Sequence, residues 1–225
     1  MKKYLSFGVA VMLAAALVGC GNSQTAQEQP PSSETTSQTE EKALVAYFAY
    51  SENVGDTSGM ELDAIASASL DENTNNSEGN LQVMAQVLQE EKEADVFSIL
   101  MTDPYPMEYS EMLPIAVQQM QNGEQPALQS KIENLEAYDV IYLGVPVWNG
   151  SLPPAMQTFF AENDFSGKTI LPFGIHLGSG FGRMPDEMEE LAPGAEVQDG
   201  FTISARTAND EVESKFRAWL SEQSE

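Results

Sequence analysis

Three short runs in this 225-residue chain carry residue types that could hold a ligand. The first is Ser51-Glu52-Asn53, with Gly79-Asn80-Leu81 resuming ahead of a helical pattern. A hydroxyl, two amides and the unpaired N–H groups of a helix start form a cradle for an anion. The same residues also make an ordinary Ser/Asn-rich turn with a normal helix start. The second run is Pro146-Val147-Trp148-Asn149-Gly150. Trp148 offers a π face to a flat heteroaromatic ring. Asn149 and Gly150 accept left-handed backbone geometry, which turns their N–H groups toward a ligand. The competing reading is a capped turn with Trp148 filling a gap. The third run is His176-Leu177-Gly178-Ser179-Gly180-Phe181-Gly182, whose glycines let the main chain approach a ligand closely. His176, the only histidine, could donate to such a ring or simply close a strand end.

Other chemistries lack their parts. One His, and no Cys beyond residue 20, leave no zinc ligand set. Ser51 and Ser179 lack the GxSxG context of a nucleophile elbow. No Gly-Lys-Ser/Thr follows the first run, and no GxGxxG, so neither a P-loop nor a dinucleotide fingerprint is present. With 10 Lys+Arg against 35 Asp+Glu, the net charge of −25 repels phosphate backbones and excludes nucleic acid as a natural partner.

The elements that must position these runs alternate along the chain. Ala43–Tyr50 is a nearly unbroken apolar run, as a strand covered on both faces requires. A polar stretch follows to Ser77, with a short apolar piece at Leu62–Leu70. A helix then carries Leu81, Met84, Ala85 and Leu88 on one face. Further strands are expected at Asp95–Leu100, Asp139–Val147 and Lys168–His176, with a weak fifth at Phe201–Ser204. Helices are expected near Glu108–Asn122, Lys131–Leu135, from Pro153, at Met184–Leu191 and at Asn209–Ser221. This alternation predicts an α/β fold: a doubly wound, five-stranded parallel sheet of order 2-1-3-4-5 with helices on both faces. Such an order places a ligand crevice at the carboxyl ends of the strands, beside the first.

The N-terminus reads as an export signal. Lys2 and Lys3 precede a short apolar run, Leu5–Val18, too short to span a bilayer comfortably. It ends in Leu17-Val18-Gly19-Cys20, which resembles the lipobox of bacterial lipoproteins; an ordinary signal peptide with a chance Cys is the alternative. Residues 1–20 are thus expected to be a signal with Cys20 lipidated, anchoring the chain outside the cytoplasmic membrane. Residues 21–42, rich in Ser, Thr, Gln, Glu and Pro, read as a disordered tether to a domain over 43–225.

Several stretches together resemble the flavodoxin family, and more closely its exported or lipid-anchored bacterial branch. They are the opening strand ending in Ser51, Tyr105-Pro106, the run from Tyr138 to Gly150, Asp164–Ile170 and His176–Gly180. The resemblance implies non-covalent FMN and electron transfer with a redox protein partner. Its phosphate loop maps onto Ser51, Asn53, Gly79 and Asn80, with an insertion between them and Leu81 where the family carries Thr. Pro146, Val147, Trp148, Asn149, Gly150, His176, Gly178, Ser179 and Gly180 would serve the ring and ribityl chain. Two alternatives remain on the same fold: an NAD(P)H-dependent quinone or FMN reductase, and a non-redox binding module.

Overall fold

The apolar run after Lys42 forms strand β1 (Ala43–Tyr47), in which Val45 and Ala46 are wholly buried. The computed structural model describes residues 41–55, 79–106 and 109–223. The expected signal, Cys20, the tether as far as residue 40 and the apolar piece Leu62–Leu70 lie outside the described residues. Lys42 is already tied to the fold, because its carbonyl accepts the Asp139 N–H at 2.9 Å.

After β1 the chain makes a 3-10 turn (Tyr50–Glu52), helix α1 (Asn80–Lys92), β2 (Asp95–Ser98), α2 (Tyr109–Asn122) and β3 (Val140–Pro146). Then come α3 (Ala155–Glu162), β4 (Thr169–His176), α4 (Met184–Leu191), β5 (Glu196–Val197), β6 (Phe201–Ser204) and α5 (Asn209–Glu222). All strand pairs are parallel, in the order β2-β1-β3-β4-β5, with β6 also paired to β4. The chain leaves β1 toward one edge and returns to build the other, so the winding reverses between β1 and β3.

Each face of the sheet has its own core. On one side Leu81, Met84 and Leu88 of α1 meet Val212, Phe216 and Leu220 of α5 over Val45, Phe173 and Ile175. On the other, Met112 of α2, Phe159 of α3 and Met188 of α4 close over Phe48, Ile141 and Leu143. Both faces of the central strands are therefore dry, as their unbroken apolar runs require. Among the described residues no helix is long and apolar enough to cross a membrane.

Two expectations change in detail. The fifth strand position is split: β5 pairs with Thr169–Ile170 and β6 with Phe173–His176. Pro172 lies between, and its nitrogen has no hydrogen to give the edge strand. Gly200 passes so close that a Cβ there would sit 1.9 Å from the Pro172 carbonyl oxygen. The helix expected at Lys131–Leu135 is absent; Asn134 is left-handed (φ 55°), and only a 3-10 turn, Leu135–Ala137, follows.

Candidate functional site

The carboxyl ends of β1, β3 and β4 open onto a cavity of about 460 Å³. Tyr50 lines it from the first strand end, Pro146 to Gly150 from the second, and His176 and Ser179 from the third. The second and third of the runs singled out by residue type thus share one rim, while the first reaches it only through Tyr50, the residue before Ser51; Ser51, Asn53, Gly79, Asn80 and Leu81 are not among its lining residues.

The β3 end is shaped by a two-residue turn. Trp148 and Ser151 exchange N–H···O bonds, both 2.9 Å, and Asn149 (φ 51°) and Gly150 (φ 76°) are both left-handed. That is a type I′ hairpin, for which Asn-Gly is the favoured pair. Among the described residues no acceptor meets the N–H of Asn149 or Gly150. Trp148 is held by ring edges, with centroids 5.9 Å from Phe48, 6.0 Å from Tyr50 and 5.4 Å from Tyr105. Glu187 of α4 braces the turn from behind. Its carboxylate accepts from the Ser151 hydroxyl (2.6 Å) and the Leu152 N–H (2.8 Å). The Arg183 guanidinium donates to Ser151 Oγ (2.6 Å), and the Arg183 backbone N–H donates to the Gly150 carbonyl (2.8 Å).

At the β1 end, Ser51 Oγ is buried and has no hydrogen-bond partner among the described residues. A buried hydroxyl without a partner costs free energy, and an incoming acceptor would satisfy it. In the other cradle residues the side chains are engaged within the protein. Asn53, 1% exposed, donates from Nδ2 to the Ala49 (2.9 Å) and Ile99 (3.0 Å) carbonyls, and its Oδ1 accepts from the Met101 N–H (2.7 Å). It rivets β1 to the end of β2, with neither hydrogen of the amide left over for an anion. Asn80 donates to the carbonyls of Ala205 (3.3 Å) and Thr207 (3.2 Å), tying α1 to the loop after β6. The Leu81 side chain is wholly buried in the α1–α5 core. The Gly79 N–H is taken by Gln82 Oε1 at 2.7 Å.

A polar knot behind the cradle was not legible in the sequence. The Glu52 carboxylate accepts from the Tyr47 hydroxyl (2.9 Å), Gln82 Nε2 (2.8 Å) and the Ser98 hydroxyl. Burial, then the neighbouring Glu52 charge, pushes the Tyr47 phenol up to about 12.

In the third loop the Gly178 N–H donates to His176 Nδ1 at 2.8 Å. A neutral His176 therefore carries its proton on Nε2, leaving that nitrogen as a donor. With its N–H so used, Gly178 does not line the cavity, and neither does Gly180. The fourth wall was missed altogether. It is an apolar stripe on α2: Met112, Leu113, Ala116, Val117 and Met120. Their spacing is one helical face, a signal present in the sequence within the helix expected near Glu108–Asn122.

The flavodoxin family's sequence profile matches residues 74–222. Among solved structures, a candidate flavoprotein from Bacteroides eggerthii is 25% identical with a TM-score of 0.55, covering 80% of this chain and 96% of that one. A candidate flavoprotein from Bacteroides uniformis, 23% identical with a TM-score of 0.54, covers 79% and 98%. A flavoprotein in complex with FMN from Lactobacillus acidophilus, 16% identical with a TM-score of 0.53, covers 79% and 99%. The last two likenesses concern the fold alone. No match was found among curated proteins. The sheet order, the site at the winding reversal and a profile match over most of the chain lead to one conclusion: this protein belongs to the flavodoxin family.

Proposed function

We propose that the chain binds FMN at this rim and carries electrons with it. The observation that supports this most is the unsatisfied Ser51 hydroxyl, one residue from Tyr50, beside a cavity that presents Trp148 and two unpaired N–H groups. When bound, FMN supplies the redox chemistry. Ser51 donates its hydroxyl proton to the phosphate, with the start of α1 nearby. The N–H groups of Asn149 and Gly150 donate to the polar edge of the ring, and His176 donates from Nε2. The Trp148 cluster keeps water from one side. The net charge of −25 opposes added negative charge on the ring and lowers its potential.

The electron donor or acceptor would be a redox protein. The export signal and Cys20 would hold the domain on the outer side of the cytoplasmic membrane by lipid. Two experiments test these points. The freshly purified full chain should be yellow or take up FMN stoichiometrically; a colourless protein that gives no heat on FMN titration would sink the reading. Labelled palmitate should enter the wild type and not Cys20→Ala, and equal labelling of both would remove the anchor.

A further inference from the structure

The cradle at the β1 end supplies few donors. The Asn53 amide, the Gly79 N–H and the Asn80 amide are spent on the protein itself, which leaves the Ser51 hydroxyl. A phosphate monoester carries about 1.5 to 2 negative charges at neutral pH. One hydroxyl does not balance that charge, and the chain's own net charge of −25 adds repulsion. Such a site calls for a cation.

Among the described residues, the loops at the carboxyl ends of the strands hold two, Arg183 and Arg206. Arg183 is engaged, donating to Ser151 Oγ and pairing with Glu187 at 3.2 Å. Arg206 is exposed, and its guanidinium has no ion pair or hydrogen bond among the described residues. Its place is set by the backbone. The Thr207 N–H donates to the Ser204 carbonyl (3.0 Å), and the Arg206 N–H donates to Ser204 Oγ (3.3 Å). Ala205 lines the cavity. Asn80, in the first turn of α1, holds the carbonyls on both sides of Arg206, those of Ala205 and Thr207. Arg206 thus stands where the β6–α5 loop meets the start of α1. The carboxylates that open α5 have other partners: Asp210 accepts the Glu211 N–H (2.9 Å), and Glu211 pairs with Lys215 (2.7 Å).

Resting on the FMN reading above, we propose that Arg206 is the counter-ion of the cofactor phosphate. Its planar fork of N–H donors matches phosphate oxygens and supplies the charge that Ser51 lacks. The residue therefore sets the preference for the phosphorylated flavin over the bare one.

The full chain is titrated with FMN and with riboflavin, which lacks the phosphate. Titrations are run at about 0.01 M and about 1 M salt, where charges reach over about 30 Å and about 3 Å. At low salt Arg206→Gln should weaken FMN about fivefold or more and leave riboflavin within about twofold. Arg206→Lys, which keeps the charge, should recover most of the FMN affinity. At high salt wild type and Arg206→Gln should converge. Wild-type FMN affinity in Arg206→Gln at low salt, an equal loss of FMN and riboflavin, or Arg206→Lys no tighter than Arg206→Gln overturns the counter-ion. So does a wild type that holds riboflavin as tightly as FMN, because the phosphate then contributes nothing. A wild type that binds neither flavin overturns the FMN reading itself.

Discussion

Gly182 lies against Gly150, so close that a Cβ at 182 would come within 2.5 Å of the Gly150 carbonyl oxygen and 2.7 Å of its Cα. The glycine loop after β4 is thus the seat of the Asn149-Gly150 turn. Gly182 is also left-handed (φ 59°), so Gly182→Ala strains the backbone and displaces the turn. The variant should lose about 1–3 kcal/mol of stability and bind FMN more weakly than wild type. Urea unfolding and FMN titration check this; wild-type values in both would refute the seating.

Ser51→Ala separates ligand from scaffold. The hydroxyl has no partner among the described residues, so its removal should leave the apoprotein as stable as wild type or slightly more so. A hydrogen bond to a charged phosphate is worth about 1.5–3 kcal/mol, so FMN should bind roughly 10- to 100-fold more weakly. Calorimetry on both apoproteins reads the difference, and equal affinities would remove Ser51 from the cradle.

Asn53→Ala should show the opposite pattern. It strips partners from the Ala49 and Ile99 carbonyls and the Met101 N–H, all at a buried site. A loss of about 2–4 kcal/mol in urea unfolding is expected. FMN affinity of the remaining folded protein should change little; a large affinity loss at wild-type stability would restore Asn53 to the ligand.

Tyr47 makes an alkaline signature. Its folded-state pKa is raised to about 12 from 10.0, so the folded chain keeps a proton that the unfolded chain releases. The stability from this group is complete below pH 10 and is lost as pH climbs toward 12. After allowance for solvent screening the effect is about 1 kcal/mol. Wild type should therefore lose stability more steeply than Tyr47→Phe between pH 9 and 11.5 (about the range urea titration can cover). Parallel curves would contradict it.

The central sheet was readable because β1, β3 and β4 are buried on both faces and must be apolar throughout, whatever their neighbours. The split at the fifth position was not, because it depends on Pro172 facing Gly200, a pairing set by tertiary register. At the site, the Asn149-Gly150 turn was readable since that dipeptide carries its own backbone preference. Asn53 and Asn80 were assigned to an anion because an amide that can meet a ligand can equally clamp buried carbonyls. Their partners lie 46 and 125 residues away, at Ile99 and Ala205, where no local pattern points. Glu52 was passed over for the same reason: its partners come from β1, α1 and β2.

The Glu52 knot has a consequence for how the sheet is joined to α1. One carboxylate takes hydrogens from Tyr47 of β1, Gln82 of α1 and Ser98 of β2, and Gln82 in turn holds the Gly79 N–H. Three elements next to the ligand rim therefore share a single negative anchor, and neutralising that one group loosens all three joints at once.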